Sequence, residues 1–274
     1  MKRYVYINDN DLSQDLYCDN RVSNRKYTIW NFLPKNLWEQ FSRFMNQYFL
    51  LIACLQLWSL ITPVNPASTW GPLIFIFSVS ATKEAWDDYN RYQSDKKANE
   101  KDVWVVKQGI KQHVQAQDIC VGNIVWLREN DEVPCDLVLL GTSDPQGVCY
   151  IETAALDGET DLKTRVIPSA CMGLASELLH KMKARFSLTP LFPQGVIECP
   201  NPDKDIRRFD ANLRLFPPFI DNDLCPLTIN NTLLQSCYLR NTEWACGVAV
   251  YTGKSVILIC LDLNLFFLKV FDTI

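Results

Sequence analysis

FMNQYFLLIACLQLWSLITPVNPASTWGPLIFIFSVSAT, residues 44–82, runs for 39 positions without an Asp, Glu, Lys or Arg. Phe44 to Ile61 is strongly apolar, and Trp70 to Ser80 is apolar with small residues. Between them lies Thr62-Pro63-Val64-Asn65-Pro66-Ala67-Ser68-Thr69, whose two prolines and Asn-Pro step break a helix and favour a turn. A bilayer-crossing helix needs about 20 apolar residues, and only segments that close their own backbone hydrogen bonds cross lipid. The stretch therefore predicts two membrane helices joined by a tight turn, the second extending to Trp86. Trp58 and Trp70 fall near the turn, where aromatic belts lie. Arg21, Arg25, Lys26, Lys35 and Arg43 precede the hairpin, Lys83, Arg91, Lys96 and Lys97 follow it, and the turn has no basic residue. That asymmetry predicts both termini on the cytosolic side. The residues alone leave one alternative open, a buried helical hairpin of a soluble protein.

Upstream, Leu37, Phe41, Phe44 and Tyr48 recur at helical spacing. They predict one amphipathic helix leading into the first span, lying at the interface or packed on a neighbouring domain. Downstream, Asp87 to Glu100 is charged and helix-compatible, a stalk leaving the membrane. The period then changes. Val103-Trp104-Val105-Val106, a Gln108-Gly109 turn and Ile110 to Val114 read as a hairpin. Ile124 to Leu127, Leu137 to Leu140 and Val148 to Ile151 are further short apolar runs between turn signals, the pattern of a small sandwich or barrel. Leu174 to Ala184 reads as a helix, and Pro190 to Pro202 as a proline-rich loop. Ile206 to Leu215, Leu233 to Arg240 and Gly247 to Tyr251 read as later strands.

Composition removes several classes. The 274 residues carry a net charge of −4, so a nucleic-acid partner held by phosphate contacts is not expected. The 48% hydrophobic content argues against disorder. Eleven cysteines without a Cys-x-x-Cys pair, and only two histidines, His113 and His180, give no metal-ligand spacing. The cysteines read as reduced thiols packed as small apolar side chains. Gly253-Lys254-Ser255 lacks the earlier glycine of a phosphate-binding loop, because position 248 is Val248. Asn230-Asn231-Thr232 is a formal glycosylation sequon that should go unused in the cytosol.

Asp157-Gly158-Glu159-Thr160 remains. Asp-Gly is an ordinary turn. It also allows chemistry: the glycine lets backbone approach a phosphate, and the carboxylate after it can orient and deprotonate a water for in-line attack on phosphorus. Thr160 would hold that loop or the water.

Leu156-Asp157-Gly158-Glu159-Thr160-Asp161-Leu162-Lys163, preceded by Cys149-Tyr150-Ile151-Glu152-Thr153-Ala154, resembles the actuator signature of type IV P-type ATPases, the phospholipid flippases. Further matches follow in order: Asn31-Phe32-Leu33-Pro34-Lys35-Asn36-Leu37, Glu39-Gln40-Phe41, Asn46-Gln47-Tyr48-Phe49-Leu50, Lys83-Glu84-Ala85-Trp86-Asp87-Asp88, Val133-Pro134-Cys135-Asp136, Leu239-Arg240-Asn241-Thr242 and Tyr251-Thr252-Gly253. The resemblance covers about residues 21–253, and its wording is nearest the plant aminophospholipid ATPases. It implies a membrane α-helical hairpin plus a mostly-β, jelly-roll-like cytosolic actuator domain. The partition is a cytosolic segment 1–43 with an interfacial helix, a transmembrane hairpin 44–86, and an actuator domain 87–253 with an atypical insertion at 184–194. A divergent apolar tail, 254–274, follows.

The resemblance further implies an ATP-driven lipid pump in which an Asp of a separate domain is phosphorylated. The actuator loop then promotes hydrolysis of that aspartyl-phosphate during lipid translocation. Glu159 would position the attacking water, and Asp157, Gly158 and Thr160 would shape the loop. Gln56 matches a position linked with lipid selection; read from the residue alone, it is equally a helix–helix hydrogen bond. The intact enzyme would need Mg²⁺ and ATP, neither expected to bind this chain. Its partners would be phospholipid, membrane and a small two-span glycosylated β-subunit, in an endomembrane or plasma membrane. No Asp-Lys-Thr-Gly occurs, so the chain reads as the N-terminal part of such an enzyme, inactive alone. Ala184 to Gln194 and the stretch after Ser255 depart from the family pattern; retained intron sequence or a misdrawn gene model would explain both. Two rivals are a non-catalytic membrane-anchored fragment that binds a β-subunit, and a cation pump. The second is disfavoured because the related pumps carry Thr-Gly-Glu-Ser where Asp157 to Thr160 stand.

Overall fold

The computed structural model of the chain describes residues 2–8, 17, 19–28, 30–58, 65–107, 110–172, 194–202, 208–216 and 224–253. The chain divides into two units: Ser23–Lys97, and Met1–Val22 together with Ala98–Ile274. That division groups residues differently from the partition drawn on the sequence, since the first 22 residues go with the β-rich part.

The β-rich unit is built from three antiparallel sheets, as the short apolar runs predict. β1 (Lys2–Tyr6) opens the chain, and β2 (Asp102–Lys107) and β3 (Ile110–Gln115) form the expected hairpin, with Trp104 opposite His113. β4 (Ile124–Arg128), β5 (Asp136–Thr142), β6 (Val148–Glu152) and β7 (Leu162–Val166) follow. Next come β8 (Gly195–Pro200), β9 (Ala211–Leu215), β10 (Cys225–Leu227), β11 (Thr232–Leu233), β12 (Tyr238–Arg240) and β13 (Trp244–Tyr251). The largest sheet has the order β11-β5-β13-β4-β2-β3; the others are β1-β8-β9-β10 and β12-β6-β7.

The continuous apolar run of β13 is buried at every position, because the strand lies between β5 and β4 at the sheet centre. A Cβ on Gly247 would stand 2.7 Å from the Val138 carbonyl oxygen, so only glycine fits beside the register shift between Cys246 and Gly247. Val105, Val125, Leu139, Ile151, Leu213, Leu239 and Ala249 are all fully enclosed and anchor the core. The reading of Pro190 to Pro202 as a loop is corrected. Gly195–Pro200 is a strand between β1 and β9, with Ile197 and Cys199 turned inward. Its one proline, Pro200, is the last residue of the strand, opposite Lys2. The helix read over Leu174 to Ala184, the insertion at 184–194 and most of the tail lie outside the described residues.

The unit Ser23–Lys97 is helical: α1 (Phe32–Phe41), α2 (Phe44–Leu55) and α3 (Ala67–Asn99). The single amphipathic helix expected through Leu37 and Tyr48 is two helices. Arg43 adopts an extended conformation between them, and the Ser42 hydroxyl donates to the Trp38 carbonyl at 2.8 Å, closing the first. Asn65 caps α3 by accepting the Ala67 amide at 3.1 Å, with Pro66 just ahead of the first turn. The Trp70 indole donates to the Ala53 carbonyl at 3.1 Å, and Phe41 meets Phe77 edge-on at 5.1 Å, so α3 is tied to both shorter helices.

Among the described residues, no helix is long and apolar enough to cross a membrane. The reason lies in the register of charge and helix. α2 has 12 residues, about 18 Å of rise, whereas α3 has 33 but is charged from Lys83 onward. The charged, helix-compatible stretch from Asp87 onward is helical as far as Asn99, the end of α3. There Asp95 accepts the Asn24 amide and side chain at 2.7 and 3.0 Å, Asp88 accepts the Lys26 amide at 2.8 Å, and Glu39 and Glu84 pair with Lys26.

Candidate functional site

The segment 153–161 closes the hairpin between β6 and β7. Those strands pair with Ile151 opposite Lys163 and Glu152 opposite Leu162. The chain leaves β6 through Thr153, makes one helical turn, α4 (Ala154–Asp157), and ends it at Gly158. Gly158 has φ +75, and a Cβ there would meet nothing within 4 Å. The left-handed conformation, not lack of space, is what asks for glycine.

Asp157 is held from three sides. The Thr153 hydroxyl lies 3.0 Å from both carboxylate oxygens, the Glu159 amide donates at 3.0 Å, and Lys163 forms a salt bridge to the second oxygen. Partial burial works to raise the Asp157 carboxyl, but the Lys163 ammonium, the Glu159 amide and the Thr153 hydroxyl together hold it below its ordinary value. Thr153 is itself buried, whereas the Glu159 side chain is 62% exposed. Lys163 also reaches Glu159, Nζ to Oε2, at 2.8 Å. Hydrogen bonds to Asp157 and Glu159 hold the Lys163 ammonium above its usual range. Thr160 is exposed.

The loop rests on a braced strand. Arg240 on β12 donates through Nε to Glu152 at 2.8 Å and through a second nitrogen to Asn130, which sits in a left-handed turn. The Tyr150 amide donates to the Thr242 hydroxyl at 3.2 Å. The Leu239 to Thr242 stretch, remote in sequence, thus pairs directly with the strand that feeds the loop. Asp136 accepts the Gln235 amide at 2.8 Å. The Gly253 amide donates to Asn20 Oδ1 at 3.0 Å.

Of the sequence-predicted residues, Asp157, Gly158, Glu159 and Thr160 form one continuous surface turn. Gln56 belongs to the other unit, where it caps the C-terminus of α2. Its Oε1 is buried without a hydrogen-bond partner among the described residues. The brace on Asp157 comes from Thr153, a role that sequence reading did not assign. The Thr153 to Asp157 spacing of four, one helical turn, is the signal that points to it. Among the described residues, no group of three or more His, Cys, Asp and Glu is arranged to hold a metal ion. Both loop carboxylates face the Lys163 ammonium, which offsets part of their charge.

Residues 5–70 match the phospholipid-translocating ATPase N-terminal family, and residues 97–183 match the P-type ATPase actuator domain. The chain is 84% identical over 254 residues to Phospholipid-transporting ATPase 2 of Arabidopsis thaliana, covering 93% of this chain and 22% of that protein. It is 38% identical over 255 residues to human Phospholipid-transporting ATPase ID, covering 92% of this chain and 20% of the relative. Human Phospholipid-transporting ATPase IG is 34% identical over 258 residues, 92% of this chain and 22% of the relative. The chain therefore spans about a fifth of the length of the curated relatives it matches. With an N-terminal match, an actuator match and the braced Asp-Gly-Glu-Thr loop inside the latter, this chain belongs to the phospholipid-transporting P-type ATPases.

Proposed function

We propose that this chain is the N-terminal part of an ATP-driven phospholipid pump, and that its loop at Asp157 to Thr160 promotes hydrolysis of an aspartyl-phosphate carried on another domain of the intact enzyme. The observation that carries the reading is the division of labour between two carboxylates. Asp157 is locked by three donors, whereas Glu159, one residue past the glycine, keeps its carboxylate largely exposed beside the Lys163 ammonium. In the proposed step, Glu159 orients a water and accepts its proton as the water oxygen bonds to phosphorus in line with the leaving group. The bond from phosphorus to the aspartyl oxygen breaks, releasing free aspartate and inorganic phosphate. Gly158 leaves the turn without a side chain where the phosphoryl group approaches.

The helical unit is proposed as the membrane part, with both its ends cytosolic. Supporting this, Leu51, Ile74, Phe75, Ile76 and Val79 each expose more than half of their surface, an apolar display suited to lipid. Residues 44–86 then form the hairpin and residues 87–253 the actuator domain. Gln56, at the end of α2 with an Oε1 that finds no hydrogen-bond partner among the described residues, is proposed as part of the lipid path, and a two-span β-subunit as a partner. An endomembrane or plasma membrane is the proposed site.

The test is phosphoenzyme decay in the intact ATPase. Glu159→Gln should leave phosphoenzyme formation from ATP unchanged and slow its decay about 100-fold, the lower range for loss of a general base. Decay at the wild-type rate would remove Glu159 from the chemistry.

A further inference from the structure

The ammonium of Lys163 bridges the two carboxylates on either side of Gly158, pairing with Asp157 and lying 2.8 Å from Glu159. Deepening the reading above and resting on it, we propose that Lys163 is a positioning residue for Glu159. It fixes the direction of the water-orienting carboxylate and offsets the negative charge of a loop that has to approach a phosphoryl group.

Three features support the assignment. Lys163 stands on β7 in register with Ile151, so its stem is fixed by the sheet and not by the loop it serves. Its side chain is 33% exposed against 62% for Glu159, so the anchored partner is the lysine and the adjustable one the glutamate. An exposed ion pair of this kind is weak and is exchanged easily. The contact therefore orients Glu159 without competing strongly once phosphate and water arrive.

Charge supplies the second half of the argument. Asp157, Glu159 and Asp161 crowd five consecutive residues, and the target is itself an anion. Carboxylates this close repel one another and any phosphate they meet. Asp157 already has Thr153 and the Glu159 amide as donors, so its fold does not need Lys163 alone. What Lys163 adds beyond them is a positive charge that reaches Glu159. The signal was present in the sequence: Lys163 follows Glu159 by four residues.

The experiment compares Lys163→Met, Lys163→Arg, Glu159→Gln and the Lys163→Met/Glu159→Gln double variant in the intact ATPase that carries this segment. Phosphoenzyme is formed from labelled ATP and its decay is followed after a chase of unlabelled ATP. The decay rate is read only from molecules that folded and phosphorylated, so a loss of folded protein does not mimic the effect. K163M should slow decay about 10-fold, K163R should restore it to within about threefold, and K163M should add no further slowing on the E159Q background. If K163M gives no phosphoenzyme, Lys163→Gln takes its place with the same expected slowing. A wild-type decay rate in K163M, with E159Q slow, overturns the Lys163 assignment and leaves Glu159 standing. So does full additivity in the double variant. A wild-type decay rate in E159Q overturns the reading of the loop itself.

Discussion

Asn20→Ala should destabilise the β-rich unit more than any surface change of its size. Asn20 is 2% exposed. Its Nδ2 donates to the Ala116 and Pro134 carbonyls, both at 3.0 Å, and its Oδ1 accepts the Gly253 amide at 3.0 Å. One side chain thus joins the N-terminal strand region, the turn after β3, the approach to β5 and the end of β13. Removing it strips three buried backbone groups of their partner. A neutral bond contributes about 1 kcal/mol net, and a buried group left unpaired costs about 1–3 kcal/mol, so the expected loss is about 3 kcal/mol. Gly253 should be coupled to it. Its φ is +64, and a Cβ there would lie 2.3 Å from the Asp19 carbonyl oxygen, so Gly253→Ala pushes away the segment that carries Asn20. The two substitutions together should cost clearly less than the sum of each alone, because either one already breaks the shared bond. The assay is urea unfolding of the chain in mild detergent, followed by the circular-dichroism couplet of the stacked Trp126 and Trp244 rings. Those rings lie 4.4 Å apart and 14° from parallel, within the β-rich unit alone. At a slope of about 2 kcal/mol per molar urea, the N20A midpoint should fall by about 1.5 M. A midpoint within about 0.25 M of the wild type would refute the reasoning, since three buried bonds would then carry almost no stability.

Asp136 keeps some surface in water, but burial of its carboxyl pushes it up to about 6 from an ordinary value of 3.8, against the pull of the Gln235 amide. A raised acid is favourable below its unfolded value and loses that stability as pH rises through about 6, so Asp136→Asn should stabilise the unit at pH 7–8 by about 2 kcal/mol and flatten the decline between pH 4 and 6; equal pH profiles for the two proteins would contradict this. Gly158→Ala should lower stability by only about 1 kcal/mol, the cost of a left-handed alanine in open space, while slowing phosphoenzyme decay at least tenfold; normal decay would show that the loop tip does not approach phosphate. Burial pushes the thiols of Cys149, Cys171, Cys237 and Cys246 up to about 12 and Cys199 to about 11. A water-soluble maleimide at pH 8 should therefore modify Cys120 long before any of these, read by peptide mass spectrometry, and comparable labelling of Cys149 would show a looser core.

Much of this fold is legible in the sequence. The alternating and continuous apolar runs located β2, β3, β4, β5, β6 and β13, because a strand buried on one or both faces writes its period into the sequence. The Asp-Gly step located the turn at Gly158, because φ above zero selects glycine. β8 was misread, because the prolines in and around it carry a turn signal and its partners are distant: Val5 pairs with Ile197 across most of the chain. The single amphipathic helix was misread because helical spacing of Leu37 to Tyr48 continues in phase through Arg43, where the backbone breaks.

The sequence alone determined the charge-free run, the strand periods, the left-handed glycine turn and the ordered motifs of a phospholipid-transporting ATPase. Each of these is read from consecutive residues along the chain. The tertiary structure alone decided that Arg240 ties β12 to the strand feeding the loop, and that Asn20 bonds to Gly253, 233 residues away. A side chain's hydrogen-bonding capacity is local and can be read from its type. Which buried partner satisfies it depends on where the sheets close, and that is set by the packing of the whole unit.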